Sequence, residues 1–280
     1  MLAKVELAAN HNRPGETMVY AVIASSNCFQ PESVQHSCEM VSDVISARRQ
    51  SAMDAKAIVV FDALRNSSVP EQYETVRWVC DQIKNCFKMD DYNITPALVH
   101  WPPHGRLPQP GKTKTKLMTR ALVQEASLVV LCAGSGKALL QSFERRPDIR
   151  SDLALHVTMN QIVLLAWSAG AICSGESAEH SPDRNQELRL STGVSPCLAG
   201  LCLIPGHSFA PHFELADCKK WHEWIKSIRD INFGMMHFIC DRNWIAFKGG
   251  QDVSCSSLDT GSDKGVWRYK DQYFLRLNGI

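Results

Sequence analysis

Residues 161–174 read Gln-Ile-Val-Leu-Leu-Ala-Trp-Ser-Ala-Gly-Ala-Ile-Cys-Ser, and no other stretch constrains the fold as tightly. Ile162 to Trp167 is a short, almost wholly apolar run, the pattern of a strand buried on both faces of a parallel sheet. The small residues Ser168-Ala169-Gly170-Ala171 follow without a break, and a helix can start there. A strand that turns sharply into a helix leaves its corner residue at the carboxyl end of the sheet, beside the free N–H groups of the helix. Ser168 is that corner residue. The strand–turn–helix pattern Gly-x-Ser-x-Gly is incomplete, because Ala166 stands at the first glycine position. Small residues nevertheless flank Ser168 on both sides, as the tight turn requires. Two readings fit these residues: an exposed serine nucleophile, or a buried strand joined to its helix by a capping serine.

The surrounding chain alternates strand and helix patterns. Strands are predicted at Met18–Ala24, Ala57–Leu64, Ile94–Trp101 and Leu128–Cys132. Helices are predicted over Pro31–Gln50, from Asn66-Ser67-Ser68 to Phe87, over Lys112–Ala126 with Leu117 inward, over Lys137–Arg146 and near 148–158. Residues 175–195 are polar and turn-rich and read as a long loop or small hairpin. A short strand or loop follows at Phe209–Phe213, then a helix over Leu215–Arg229. Strands at Met235–Cys240 and Asn243–Lys248 flank Asp241-Arg242, and Val266–Tyr269 with Tyr273–Leu277 forms a hairpin. This alternation predicts an α/β fold with a mostly parallel sheet flanked by helices on both faces. Its binding face lies at the carboxyl ends of the strands. Residues 1–17 are expected as an irregular leader and 18–280 as a single domain.

Composition excludes some classes of function. The formal net charge is +1, so no global basic field attracts nucleic acid or anionic lipid. No apolar run reaches the roughly 18–20 residues of a membrane span, and Met1–Thr17 lacks the apolar core of a secretory signal. Eleven cysteines, with Cys132, Cys173 and Cys240 in or beside apolar segments, read as buried thiols in a reducing, cytoplasmic compartment. No Cys-x-x-Cys pair supports a structural zinc site. Neither metal nor cofactor is expected, and the chain is expected as a monomer or homodimer.

Two glycine-containing stretches invite a phosphate-binding reading. In Gly105–Thr113 five residues separate the glycines where a P-loop needs four, and Pro110 has no N–H to offer. Gly134-Ser135-Gly136-Lys137 does follow a strand and open a helix. However, Leu131 stands where the first glycine belongs, and Ala138 replaces the magnesium-binding hydroxyl. The same turn presents backbone N–H groups well to another anion, such as an oxyanion. A serine nucleophile also needs a base. His212, in Pro211-His212-Phe213, can sit at a strand end on the sheet edge that carries Ser168. His207 is the competing histidine. Asp183 and Asp241 are the acids that can orient the base, and Asp241, at the end of an apolar strand, can equally bind a substrate amino group.

Together these residues resemble peptidase E, the aspartyl dipeptidase of the S51 serine peptidase family. Trp167-Ser168-Ala169-Gly170-Ala171 is similar to that family's nucleophile segment, and Pro211-His212-Phe213 to its histidine segment. Leu128 to Leu140 resembles its oxyanion-hole turn, and Asp241-Arg242-Asn243-Trp244-Ile245 its acidic-x-Asn-Trp segment. The similarity runs loosely from about Met18 to Tyr273 and is specific at those four places. It implies a fold similar to class I glutamine amidotransferases and cleavage of short peptides after an amino-terminal aspartate. It further implies Ser168 as nucleophile, His212 as general base, and the N–H groups of Gly134 and Ala169 as oxyanion hole. Asp183 is preferred as the third member and Asp241 as a second acid near the site. The family's glycine triplet is Cys132-Ala133-Gly134 here, Ser135 replaces its asparagine, and its substrate-binding arginine has no counterpart we can place. Lys219 and Lys220 are basic residues nearby. These departures support the alternative expectation of a fold relative that has lost activity and binds a ligand or partner. Nucleotide binding through Gly134–Lys137 is a third.

Overall fold

The computed structural model describes residues 19–25, 35, 37–39, 55–66, 69–87, 89, 93–100, 115–178, 199–227, 234–248, 251–257, 265–270 and 273–277. The frame is an eight-stranded sheet. Its members are β1 (Val19–Ala24), β2 (Ala57–Val60), β3 (Ile94–Leu98), β4 (Lys116–Leu117), β5 (Leu128–Leu131), β6 (Val163–Trp167), β9 (Asn243–Lys248) and β10 (Gln251–Ser257). They lie in the order β10-β9-β1-β6-β5-β2-β3-β4. The six from β1 to β4 run parallel, and β9 and β10 add antiparallel to one edge.

The apolar runs are continuous because both faces are covered. Along β6, Val163, Leu165 and Trp167 point to one face, where they pack with Val76, Val79, Ile83 and Phe87 of helix α1 (Val69–Phe87). Leu164 and Ala166 point to the other face. There they meet Leu139, Leu140 and Phe143 of α3 (Gly136–Glu144) and Ile149, Leu153 and Val157 of α4 (Pro147–Thr158). Val123 of the short α2 (Arg120–Glu125) joins this second layer. The period-2 alternation of a pleated strand thus assigns consecutive side chains to two separate cores, and the chain is an α/β fold with a mostly parallel sheet between helices.

A second, four-stranded sheet carries β7 (His207–Pro211), β8 (Met235–Ile239), β11 (Val266–Lys270) and β12 (Tyr273–Leu277), in the order β12-β11-β8-β7. β7 and β8 are parallel, with Pro211 opposite Ile239. One face of this sheet holds Ala210, Met236 and Phe238 against Trp221 of α6 (Cys218–Ser227) and Phe213. On the other face, Phe209 and His237 lie against Phe247 of β9, with ring centroids 5.7 and 5.9 Å away. That aromatic contact seats the small sheet on the large one.

Several expectations shift. Lys112–Ala126 is not one helix: 116–117 forms β4, and Leu117, expected inward, is exposed. The helix starts only at Arg120, because the Thr119 side chain caps it by accepting the Leu122 N–H at 3.2 Å. The strand predicted over Ala57–Leu64 ends at Val60 and passes into a 3₁₀ turn at Asp62–Asn66. The helix predicted from Leu215 begins as a 3₁₀ turn at Leu215–Asp217. β10 was not expected at all, since Gln251–Ser257 is largely polar. The leader 1–17, Gly105–Thr113, most of Pro31–Gln50 and most of the loop 175–195, with Asp183, lie outside the described residues. Among the described residues no helix is long and apolar enough to cross a membrane.

Candidate active site

The corner after β6 is as tight as its small residues imply. Ser168 has φ 47° and ψ −106°, and α5 (Ala169–Ser174) begins at the next residue. A non-glycine residue at positive φ is costly and persists where its surroundings over-determine it. Here the Ser168 N–H donates to Ala24 O of β1 at 3.0 Å, and its carbonyl accepts the Ile172 N–H at 2.9 Å. Gly170 is required for a different reason. A Cβ there would lie 2.4 Å from Leu131 O, so only glycine lets α5 approach β5 this closely. Ser168 has no side-chain bond that caps the helix, which removes the capping-serine reading.

Instead, Ser168 Oγ lies 2.7 Å from His212 Nε2. His212 Nδ1 lies 2.5 Å from Asp241 Oδ1. The topology explains the meeting. β7 and β8 are parallel neighbours, so the residues that follow them emerge side by side at one end of the small sheet. His212 comes directly after β7 and Asp241 follows Cys240 after β8. His212 leaves its strand at φ 60°, and Arg242 turns the chain at φ 63°. Asn243 steadies that turn, its N–H donating to Cys240 O at 3.1 Å and its side-chain amide to Asp241 O at 2.8 Å. The expectation that His212 shares a sheet edge with Ser168 is corrected: the serine comes from the large sheet, and the histidine and acid from the small one. The side chains of His212 and Asp241 are 43% and 59% exposed, so the cluster is reachable from solvent.

The place expected for Asp183 beside His212 is taken by the Asp241 carboxylate. Nor is Asp241 free to be only a receptor for an amino group, since its Oδ1 is held by the imidazole. The acidic-x-Asn-Trp segment had signalled Asp241. Asp183 itself lies outside the described residues, whereas the parallel strands β7 and β8 deliver His212 and Asp241 together. His207, the competing base, is elsewhere: its Nδ1 is 2.8 Å from His237 Nε2, and it is buried against Phe247. Burial, with a lesser push from the Arg268 charge, lowers its proton affinity below that of an ordinary histidine, and Glu176 opposes the shift.

Gly134 ends the turn after β5 at φ 131°, and a Cβ there would come 2.5 Å from Ala63 O. Ser135 caps α3, its Oγ accepting the Ala138 N–H at 3.3 Å. Cys173 Sγ of α5 lies 3.4 Å from Gly136 O, so α5 packs against the start of α3. Ala169 is the first residue of α5, where backbone N–H groups have no intrahelical acceptor. Among the described residues no cluster of three or more His, Cys, Asp or Glu side chains is arranged to hold a metal ion.

Ser25 escaped the sequence reading. Its hydroxyl lies 3.1 Å from Asp241 Oδ1 and accepts the His212 N–H at 2.6 Å. The available signal was its place just past β1, the neighbour of the strand that leads into Ser168.

No family model matches the chain, and no curated protein matches it. Among solved structures it is similar to a peptidase from an acI-B1 Actinobacterium, with TM-score 0.53 and 13% identity over 93% of this chain and 98% of that one. At that identity the likeness shows a shared fold.

Proposed function

We propose that this chain is a serine-type hydrolase of short peptides, and a member of the peptidase E family that its motifs resemble. The observation that carries the reading is the unbroken relay Ser168 Oγ–His212 Nε2–His212 Nδ1–Asp241 Oδ1. The acid in that relay is Asp241, whose carboxylate lies against His212 Nδ1. The likeness to a solved peptidase supports the reading at the level of fold.

The chemistry follows from the proton inventory. With Nδ1–H donated to Asp241, the neutral imidazole presents the Nε2 lone pair to the Ser168 hydroxyl. As Oγ attacks the scissile carbonyl carbon, its proton passes to Nε2, and the imidazolium is stabilised by the carboxylate. The carbonyl oxygen gains the negative charge, which the N–H groups of Gly134 and Ala169 receive. Collapse of this intermediate breaks the C–N bond as Nε2 returns the proton to the leaving amine. Water, deprotonated by His212, then hydrolyses the acyl-enzyme and regenerates Ser168.

The test is labelling with a fluorophosphonate, read by mass spectrometry, followed by a dipeptide screen varied at the first residue and led by aspartate. Labelling at Ser168 with turnover of at least one dipeptide is expected. A wild-type protein that labels no faster than free serine would instead be an inactive relative of the fold.

A further inference from the structure

Three chain segments have to meet to build the relay: the corner after β6, the residue after β7 and the turn after β8. Ser25, just past the end of β1, touches the last two directly. It is 1% exposed, and its N–H donates to Asn243 O at 3.0 Å, which fixes the backbone at the start of β9. Its Oγ accepts the His212 N–H at 2.6 Å and lies 3.1 Å from Asp241 Oδ1.

A hydroxyl has one proton and two lone pairs. His212 N–H occupies one lone pair, so the Ser25 proton is the one aimed at the carboxylate. Both bonds matter for geometry. His212 has turned away from its strand at φ 60°, and Ser25 Oγ supplies the acceptor that its amide needs in that conformation. Asp241 Oδ1 receives two donors, His212 Nδ1–H and Ser25 Oγ–H. A carboxylate that is 59% exposed otherwise rotates among water partners. The second donor selects the rotamer in which the same oxygen faces the imidazole.

We infer that Ser25 is a positioning residue of the relay: its buried hydroxyl holds the His212 backbone and the Asp241 carboxylate in the register that activates Ser168. This rests on the serine-hydrolase reading proposed above, and Ser25 itself contacts none of the reacting atoms.

The experiment compares wild type with Ser25→Ala and with the near-isosteric pair Ser25→Thr and Ser25→Val. Three quantities are read: the rate of fluorophosphonate labelling per folded molecule, the low-field proton resonance of His212 Nδ1–H, and the melting temperature. Losing a charge-assisted bond that orients a reacting group is expected to slow labelling in Ser25→Ala by about 10- to 100-fold. The His212 resonance should move upfield or be lost to exchange with water. Ser25→Thr should recover both properties and Ser25→Val should not, even where their melting temperatures agree. If Ser25→Ala does not fold, the Thr–Val comparison decides alone. Wild-type labelling and an unchanged resonance in Ser25→Ala or Ser25→Val overturn the inference. So does an equal loss in Thr and Val, since packing rather than the hydroxyl would then be responsible. A wild type that does not label removes the hydrolase reading but leaves the resonance to judge Ser25: shifted without the hydroxyl, the positioning role stands; unshifted, it falls.

Discussion

Asp241→Asn is the substitution whose outcome depends most directly on the geometry. Two effects compete in setting its size. The first is loss of charge beside the imidazolium. Both side chains are substantially exposed, at 43% and 59%, so screening by water limits that term to about 1 kcal/mol, or roughly fivefold in rate. The second is loss of orientation. Oδ1 accepts from both His212 Nδ1–H and Ser25 Oγ–H, so that position calls for an acceptor. An amide nitrogen placed there meets two donors, and the imidazole responds by moving its proton to Nε2. In that tautomer it has no lone pair for the Ser168 proton. In a serine triad this error costs about 10⁴ in kcat. The amide can also turn its oxygen inward, which recovers part of the loss, and we expect about 10³–10⁴ overall with KM changed only a few-fold. The assay is kcat and KM on the best dipeptide from the screen, with fluorophosphonate labelling as a substrate-independent check. Asp183→Asn is the matched control and should remain within a few-fold of wild type. A loss below about tenfold at Asp241, or a deep loss at Asp183, would refute the orientation argument, since the charge term alone accounts for a factor of that size.

Ser168→Ala should abolish labelling and lower kcat by about 10⁵- to 10⁶-fold while the circular dichroism spectrum is unchanged. Ser168→Gly should be equally inactive yet melt higher, because glycine relieves the positive-φ strain at Ser168, which is worth about 1–3 kcal/mol. Gly170→Ala should destabilise by about 2 kcal/mol or more in a denaturant titration, as its Cβ would sit 2.4 Å from Leu131 O. Acid should destabilise the fold through His237, whose proton affinity is pushed well down by burial and then by the His207 and Arg268 charges. The unfolded imidazole takes up a proton as pH falls through about 6.5 while the folded one stays neutral, so stability is lost below that pH. The melting temperature of wild type should therefore drop more steeply between about pH 7.5 and 5 than that of His237→Phe, whose ring suits the Phe209–Phe247 contact; parallel curves would exclude His237 as the cause.

What was legible in the sequence divides along a physical line. Strands buried on both faces leave an unmistakable record, and Leu128–Leu131 and Val163–Trp167 were found because every residue in them must be apolar. The serine corner was legible for the same reason: Gly170 answers to the 2.4 Å approach of Leu131 O, a steric demand with one permitted residue. Edge elements carry no such demand. β4 and β10 lie at the two margins of the large sheet, and Lys116–Leu117 or Gln251–Ser257 need only avoid offending their single neighbour, so their residues do not announce a strand. The acid was harder for another reason. The residue pattern does not say which of Asp183 and Asp241 lies beside His212; Asp241 does so because β7 and β8 pair in parallel with Pro211 opposite Ile239. Pairing partners are a property of the assembled sheet. Once that register is known, the residues just beyond it, His212 and Asp241, are forced together, and a buried serine at the end of β1 becomes the natural tie between them. The relay is therefore a tertiary object: its serine was written locally by sterics, and its histidine and acid were placed by a strand pairing that the residue pattern alone does not encode.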